Sequence, residues 1–193
     1  MAAGASGKFC PARIYSSSLQ VQQVDYYKAV WCKLSLPKHR FLLWQVVNSH
    51  LLTLDNLSRF KVHIESPLCP VCGEVDESHA HLFFDCPLSK QVLAHVCDWL
   101  DGNGWPAEFD SWRVWLASRK SVFIHQIATM ILVASVYSIW RNRNNCIFEL
   151  SFKSTMSIAA EIKVVLLHWL FSIQKHKLSA KEHRFIIQFA ATA

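Results

Sequence analysis

Cys69-Pro-Val-Cys72 is followed by His81 and then by Cys86, a C-x2-C-x8-H-x4-C spacing that gathers three thiols and an imidazole within eighteen residues. If these four side chains share one metal ion, the loop between them is left with essentially one closed conformation. The donor set suits a tetrahedral zinc site, structural rather than catalytic because four protein ligands leave no coordination position for water. Two residues between Cys69 and Cys72 let both sulfurs face one metal, and Gly73 can take the positive φ that such a knuckle needs. Spacing alone admits His79 as well as His81. The x4 step from His81 to Cys86 leaves a short loop that can fold back, which favours His81. Two competing readings are buried free cysteines beside surface histidines and a thioredoxin-like redox pair. Redox pairs do not come with a histidine and a third cysteine this close, so the metal site is the stronger expectation.

The rest of the chain reads as helical. All five glycines and all six prolines precede Ala107, and the absence of breakers from there to Ala193 predicts long helices. Phe123, Ile127, Met130, Ile131, Ala134 and Tyr137 recur at steps of three and four, the spacing of one helical face. A second such face carries Ile158, Ile162, Val165, Leu166, Trp169 and Ile173, on a helix from Thr155 to Lys175. Ser179 and Glu182 form a capping box that opens a last helix through Phe189. Upstream, Asp25 is expected to cap a helix to Leu34, and Pro37 to start one through Val47. Thr53 is expected to cap a helix through Phe60, and Ser89 one through Leu100. The turn-rich stretch from Asp101 to Pro106 is the only strong linker signal. It divides the chain into a zinc-knuckle region (1–100), a linker (101–110) and a C-terminal helical region (111–193). The fold class is therefore all-α, a helical bundle with a small CCHC zinc knuckle inserted between helices.

The residues around the knuckle extend the pattern. Trp31 leads into Pro37-Lys38, Phe41 and Trp44, then Leu51, Thr53 and Leu57. Cys69-Pro-Val-Cys72-Gly73 follows, then Glu77-Ser78 and His81-Leu-Phe-Phe-Asp-Cys86-Pro87. In this order they resemble the zinc-binding domain found downstream of the polymerase in plant LINE-type retrotransposon reverse transcriptases, over roughly residues 9 to 100. Tyr137-Ser-Ile-Trp140-Arg141-Asn-Arg143-Asn144 echoes a stretch that often trails that domain. The resemblance implies Cys69, Cys72, His81 and Cys86 as ligands of one structural zinc, and a role beside reverse transcription in a chain retained on its own.

Charge points the same way. The formal net charge is +6, and three thiolates plus one zinc ion lower it only to about +5. A basic balance favours phosphate-rich partners. Lys38 with Arg40, Arg59 with Lys61, and Arg141 with Arg143 are the candidate nucleic-acid contacts. No groove-reading motif accompanies them, so contact with RNA or single-stranded DNA is expected to be largely non-specific. Phe41 and Trp44, three apart, are expected in the core, and Arg141 and Arg143 at a helix C-terminal end, where the dipole favours them.

Seven cysteines, an odd number with three in one cluster, favour a reducing compartment over a disulfide scaffold. Cys10, Cys32, Cys97 and Cys146 read as small buried hydrophobes. A nuclear or cytoplasmic location follows. The alternative is mitochondrial, because residues 1–24 lack acids and faintly resemble a transit segment. Residues 121–140 carry no formal charge and are long enough to cross a bilayer, but His125, Gln126, Thr129, Ser135 and Ser138 interrupt them. A buried bundle helix is the expectation, and membrane association is not. No paired metal-binding aspartates, nucleophile elbow or phosphate-cradling glycine loop is present, and His95, His125 and His168 read as core histidines. The chain is thus expected to be a non-enzyme without a small-molecule substrate. Either it binds nucleic acid, or it is a regulatory protein that binds a protein partner through exposed apolar helices.

Overall fold

The computed structural model describes residues 24–100, 108–118, 123–172 and 178–191, which include helices and no strand. The acid-poor leader, Cys10, most of the linker and Ile173 lie outside these residues. In chain order the helices are α1 (Tyr27–Val30), α2 (Pro37–Val47), α3 (Leu54–Arg59), a π turn (His81–Asp85) and α4 (Pro87–Cys97). A 3-10 turn (Asp98–Leu100), α5 (Phe109–Ala117), α6 (Phe123–Phe148), α7 (Thr155–Ser172) and α8 (Ala180–Ala191) complete the list.

The bundle is organised around α6. Every residue from Ile127 to Val136 is buried, so this helix is covered on all sides rather than along one stripe. The three-and-four spacing of Ile127, Met130, Ile131 and Ala134 was one face of a helix buried all round. Thr129 and Ser135, which interrupt the apolar run, donate their hydroxyls to the carbonyls of His125 and Ile131 four residues back, at 2.8 and 2.9 Å. Their burial therefore leaves no donor unpaired. α2 and α7 pack on α6, and α4 packs on α6 and α7. Residues on both sides of the linker thus line one core, from Tyr26 to Phe189.

α7 contributes Ile158, Ala159, Ile162, Leu166 and Leu170 to that core. Val165, expected inside, is 39% exposed, because Leu166 and Leu170 carry the buried face one residue further round. Trp169 donates its indole N–H to the Leu34 carbonyl at 2.6 Å and so ties α7 to the chain entering α2. By length and composition α7, not α6, is the helix that could cross a membrane, with 28% of its window buried in the fold.

Several caps differ from expectation. The first helix stops at Val30 because Cys32 and Ser35 are buried in a turn, Ser35 N–H to Cys32 carbonyl, that redirects the chain to Pro37. Asp25 stays exposed and caps nothing. Pro37 begins α2 as expected. α4 begins at Pro87, because the Ser89 hydroxyl reaches back to the Leu82 carbonyl at 2.5 Å instead of capping. α6 runs on past Arg141 and Arg143 to Phe148. The Ser179–Glu182 capping box forms, with Ser179 N–H on the Glu182 carboxylate at 2.7 Å and Glu182 N–H on the Ser179 hydroxyl at 3.3 Å. α5 was not anticipated; its signal was Trp112 and Leu116 four apart, both buried, with Trp112 edge-on to Phe84. His95 and His168 face solvent rather than the core.

His39, 3% exposed on α2, stacks on Tyr137 of α6 at 4.3 Å between ring centroids. Burial, with the Lys38 charge beside it, pushes its pKa down to about 4 from 6.5. The native state thus refuses a proton that the unfolded chain accepts. The neutral ring's full contribution is present above about pH 6.5, falls as pH drops toward 4 and levels off below. Urea midpoints measured between these limits should show wild type losing on the order of 2 to 3 kcal/mol relative to His39→Phe, which keeps the stack and removes the titration.

Candidate metal centre

The knuckle is a tight loop held by its own backbone. Cys69 N–H donates to the Val75 carbonyl at 2.7 Å, Gly73 N–H to the Cys69 carbonyl at 2.8 Å, and Glu77 N–H to the Pro67 carbonyl at 2.9 Å. Leu68 and Asp76 form the one isolated bridge among the described residues. Gly73 turns the loop with a φ of +71°, and a Cβ added there would meet nothing within 4 Å. The left-handed backbone, not crowding, selects glycine.

His81 and Cys86 are brought together by the π turn rather than by an irregular loop. Its widened ring, closed by Cys86 N–H on the His81 carbonyl at 2.7 Å, suits a five-residue step between ligands. Ser78 accepts the His81 N–H on its hydroxyl at 3.1 Å, and Leu82, Phe83 and Phe84 are driven into the core behind the turn. The four ligand atoms of Cys69, Cys72, His81 and Cys86 lie within 4.8 Å of one another, with Cys72 Sγ 3.3 Å from His81 Nε2. Around a zinc ion with Zn–S bonds near 2.3 Å, sulfurs stand roughly 3.8 Å apart, so the cluster matches a tetrahedral site after a small contraction. Three ligands are buried and Cys72 is half-buried, and no open position faces solvent for a reacting water. The protein carries one structural zinc.

The electrostatics prepare a thiolate. The Cys86 thiol is held below its ordinary pKa by a hydrogen bond from Cys69, helped by the amides of Ser89 and Leu88 at the start of α4. Cys69 is pushed up by the same hydrogen bond and by burial. Cys86 thus loses its own proton first while Cys69 keeps the one it donates, and a divalent cation displaces the rest.

His79 lies outside the cluster. Its Nδ1 is 3.2 Å from the Thr53 hydroxyl, its ring is 6% exposed, and burial lowers its pKa. Thr53, expected to cap α3 with its side chain, is taken up by this contact. The cap comes from Glu77 instead, whose Oε2 accepts the Leu54 N–H at 2.7 Å. Glu77 also holds Arg143 through both oxygens, Nε to Oε1 and Nη2 to Oε2, each at 2.7 Å, with both residues buried.

This corrects one candidate nucleic-acid contact. Arg143 is 3% exposed and its guanidinium is taken up by Glu77, with Trp140 at 4.8 Å from its ring centroid. Lys38, Arg59, Lys61 and Arg141 are exposed and Arg40 is half-buried. Lys38 reaches over the Tyr137 ring at 4.8 Å, one helical turn from Arg141. Glu77 and Arg143 stand 66 residues apart. Their only sequence signal was that both fall in stretches carrying the family resemblance.

The family model described as zinc-binding in reverse transcriptase matches residues 9–92, which contain all four ligands and Glu77. No curated protein and no solved structure matches the chain.

Cys86→Ser or His81→Ala should abolish the one-to-one zinc content measured by elemental analysis, with loss of local folding free energy on the order of 10 kcal/mol. His79→Ala should retain the metal; zinc lost from it and kept by His81→Ala would reassign the ligand. Arg143→Ala strands a buried carboxylate and should lower chemical stability by about 3 to 5 kcal/mol, with zinc still bound at neutral pH.

Proposed function

We propose that the protein is a non-catalytic nucleic-acid-binding module, derived from the tail of a plant LINE-type retrotransposon reverse transcriptase, whose binding surface is shaped by its structural zinc. The observation that carries this reading is the charge of the helical region that precedes the knuckle, whereas the knuckle itself carries the acids Glu65, Glu74, Asp76, Glu77 and Asp85 and no lysine or arginine. Across residues 24–63 the cations are Lys28, Lys33, Lys38, Arg40, Arg59 and Lys61, against the acids Asp25 and Asp55. All of these cations except Arg40 are exposed, and none of the six forms an ion pair among the described residues. An excess of unpaired surface cations attracts a polyanion and reads no base sequence, so contact is with phosphates and largely non-specific. A nuclear or cytoplasmic location accompanies the reading.

A second reading has its own observation. At the corner between α6 and α7, Phe148, Leu150, Phe152 and Met156 are between 66% and 91% exposed. Such a patch favours a protein partner and would suit a host-retained regulatory role.

Filter binding of the zinc-loaded chain to RNA and to single-stranded DNA across a salt series separates the two. The nucleic-acid reading expects log affinity to fall linearly with log salt, with a slope of roughly −3 for four or five neutralised phosphates. Absence of binding at low salt would leave the protein-partner reading standing.

A further inference from the structure

Phe41, expected in the core, lies at the surface, 52% exposed, whereas Trp44 is half-buried and packs against the core as expected. Leu42, Leu43, Val46 and Val47 form the buried side of α2, Phe41 falls on its outer side, and Trp44 sits at the boundary between the two. Their rings stack at 5.7 Å between centroids and 25° between planes, and the exposed His50 meets Trp44 edge-on at 5.3 Å. His50 follows a left-handed turn at Ser49, φ 55°, and its N–H bonds back to the Gln45 carbonyl at 2.8 Å, which fixes the loop.

Two arginines accompany these rings. Arg40 precedes Trp44 by one helical turn. Asn56 donates to the carbonyls on either side of His50, Ser49 at 3.0 Å and Leu51 at 2.8 Å. The Arg59 guanidinium in turn lies 3.4 Å from the Asn56 Oδ1. Adjoining aromatic rings with arginines nearby suit flat bases linked by anionic phosphates. A duplex hides its base faces in its own stack, whereas a single strand offers them.

We propose that Phe41, Trp44 and His50 form a stacking ledge for the unpaired bases of single-stranded nucleic acid, with Arg40 and Arg59 on the flanking phosphates. The proposal rests on the nucleic-acid reading above and adds to it the surface and the strandedness.

The test is fluorescence anisotropy of a labelled oligothymidylate, free or annealed to its complement, with the zinc-loaded full chain. The free strand should bind more tightly than the duplex. Phe41→Ala should weaken free-strand binding about fivefold or more with the salt slope unchanged, and Phe41→Trp should restore it. Arg59→Gln should instead reduce the salt slope by about one. Phe41 is half in solvent, so the alanine variant should melt like wild type, separating lost stacking from lost folding. No binding of either probe by wild type would overturn the nucleic-acid reading and the ledge together. Wild-type binding that is equal for duplex and free strand, or unchanged in Phe41→Ala, would overturn the ledge alone.

Discussion

Glu77 is the point through which the two structural devices of this protein are joined. Its carboxylate accepts Arg143 through both oxygens and the first amide of α3 through one. A buried carboxylate is tolerated only when its charge is matched and its lone pairs are filled, and these bonds meet both conditions. The residue stands five positions after Cys72, on the far side of a loop whose path the metal ligands dictate. Arg143 stands on the central helix, on which α2, α4 and α7 all pack. One carboxylate therefore ties the knuckle to the bundle through Arg143 and to the start of α3 through Leu54.

The central helix explains why a chain with no strand among its described residues carries so much apolar sequence. A helix covered on all sides cannot be amphipathic, and its neighbours supply the polarity. α2 buries Leu42, Leu43, Val46 and Val47 against it and turns Phe41 outward. α7 buries one row and leaves Met156, Val164 and Phe171 in solvent. Thr129 and Ser135 inside α6 bond to their own backbone, while Asn142 and Arg143 reach Lys153 and Glu77 outside it.

What was legible in the sequence follows from the range of each interaction. The ligand quartet spans eighteen residues and obeys coordination geometry, so spacing alone nearly specified it. The Pro37 start and the Ser179–Glu182 box were legible because a cap is decided within four residues. Thr53 and Ser89 failed as caps because more distant partners, His79 and the Leu82 carbonyl, claimed their hydroxyls. Arg143 looked like a surface cation because its partner lies 66 residues away and no local rule pairs them. Phe41 was misread for a related reason: apolar residues three apart show that a face exists but not which way it points. Covering α6 on every side decides that from outside the helix.

A chain of this length buries enough surface to fold without a metal, so the zinc must act more locally than in a minimal finger. From Lys61 to Ser78 there is no helix and most side chains are exposed, and hydrophobic burial gives that loop little reason to hold one shape. The metal supplies it, and Glu77 passes the consequence inward. With the loop released, Glu77 can leave its place, and Arg143 remains a buried guanidinium whose other contacts are Asn144, the Leu52 carbonyl at 3.5 Å and the Trp140 ring. None of these balances its charge, and an unpaired buried cation costs several kcal/mol. Metal loss at the periphery therefore reaches the central helix as an electrostatic penalty. The same release removes the cap of α3, whose Asn56 anchors the His50 loop beside the aromatic rings. Zinc, ion pair and exposed ledge are in this way one mechanical unit, with the metal as its least replaceable part.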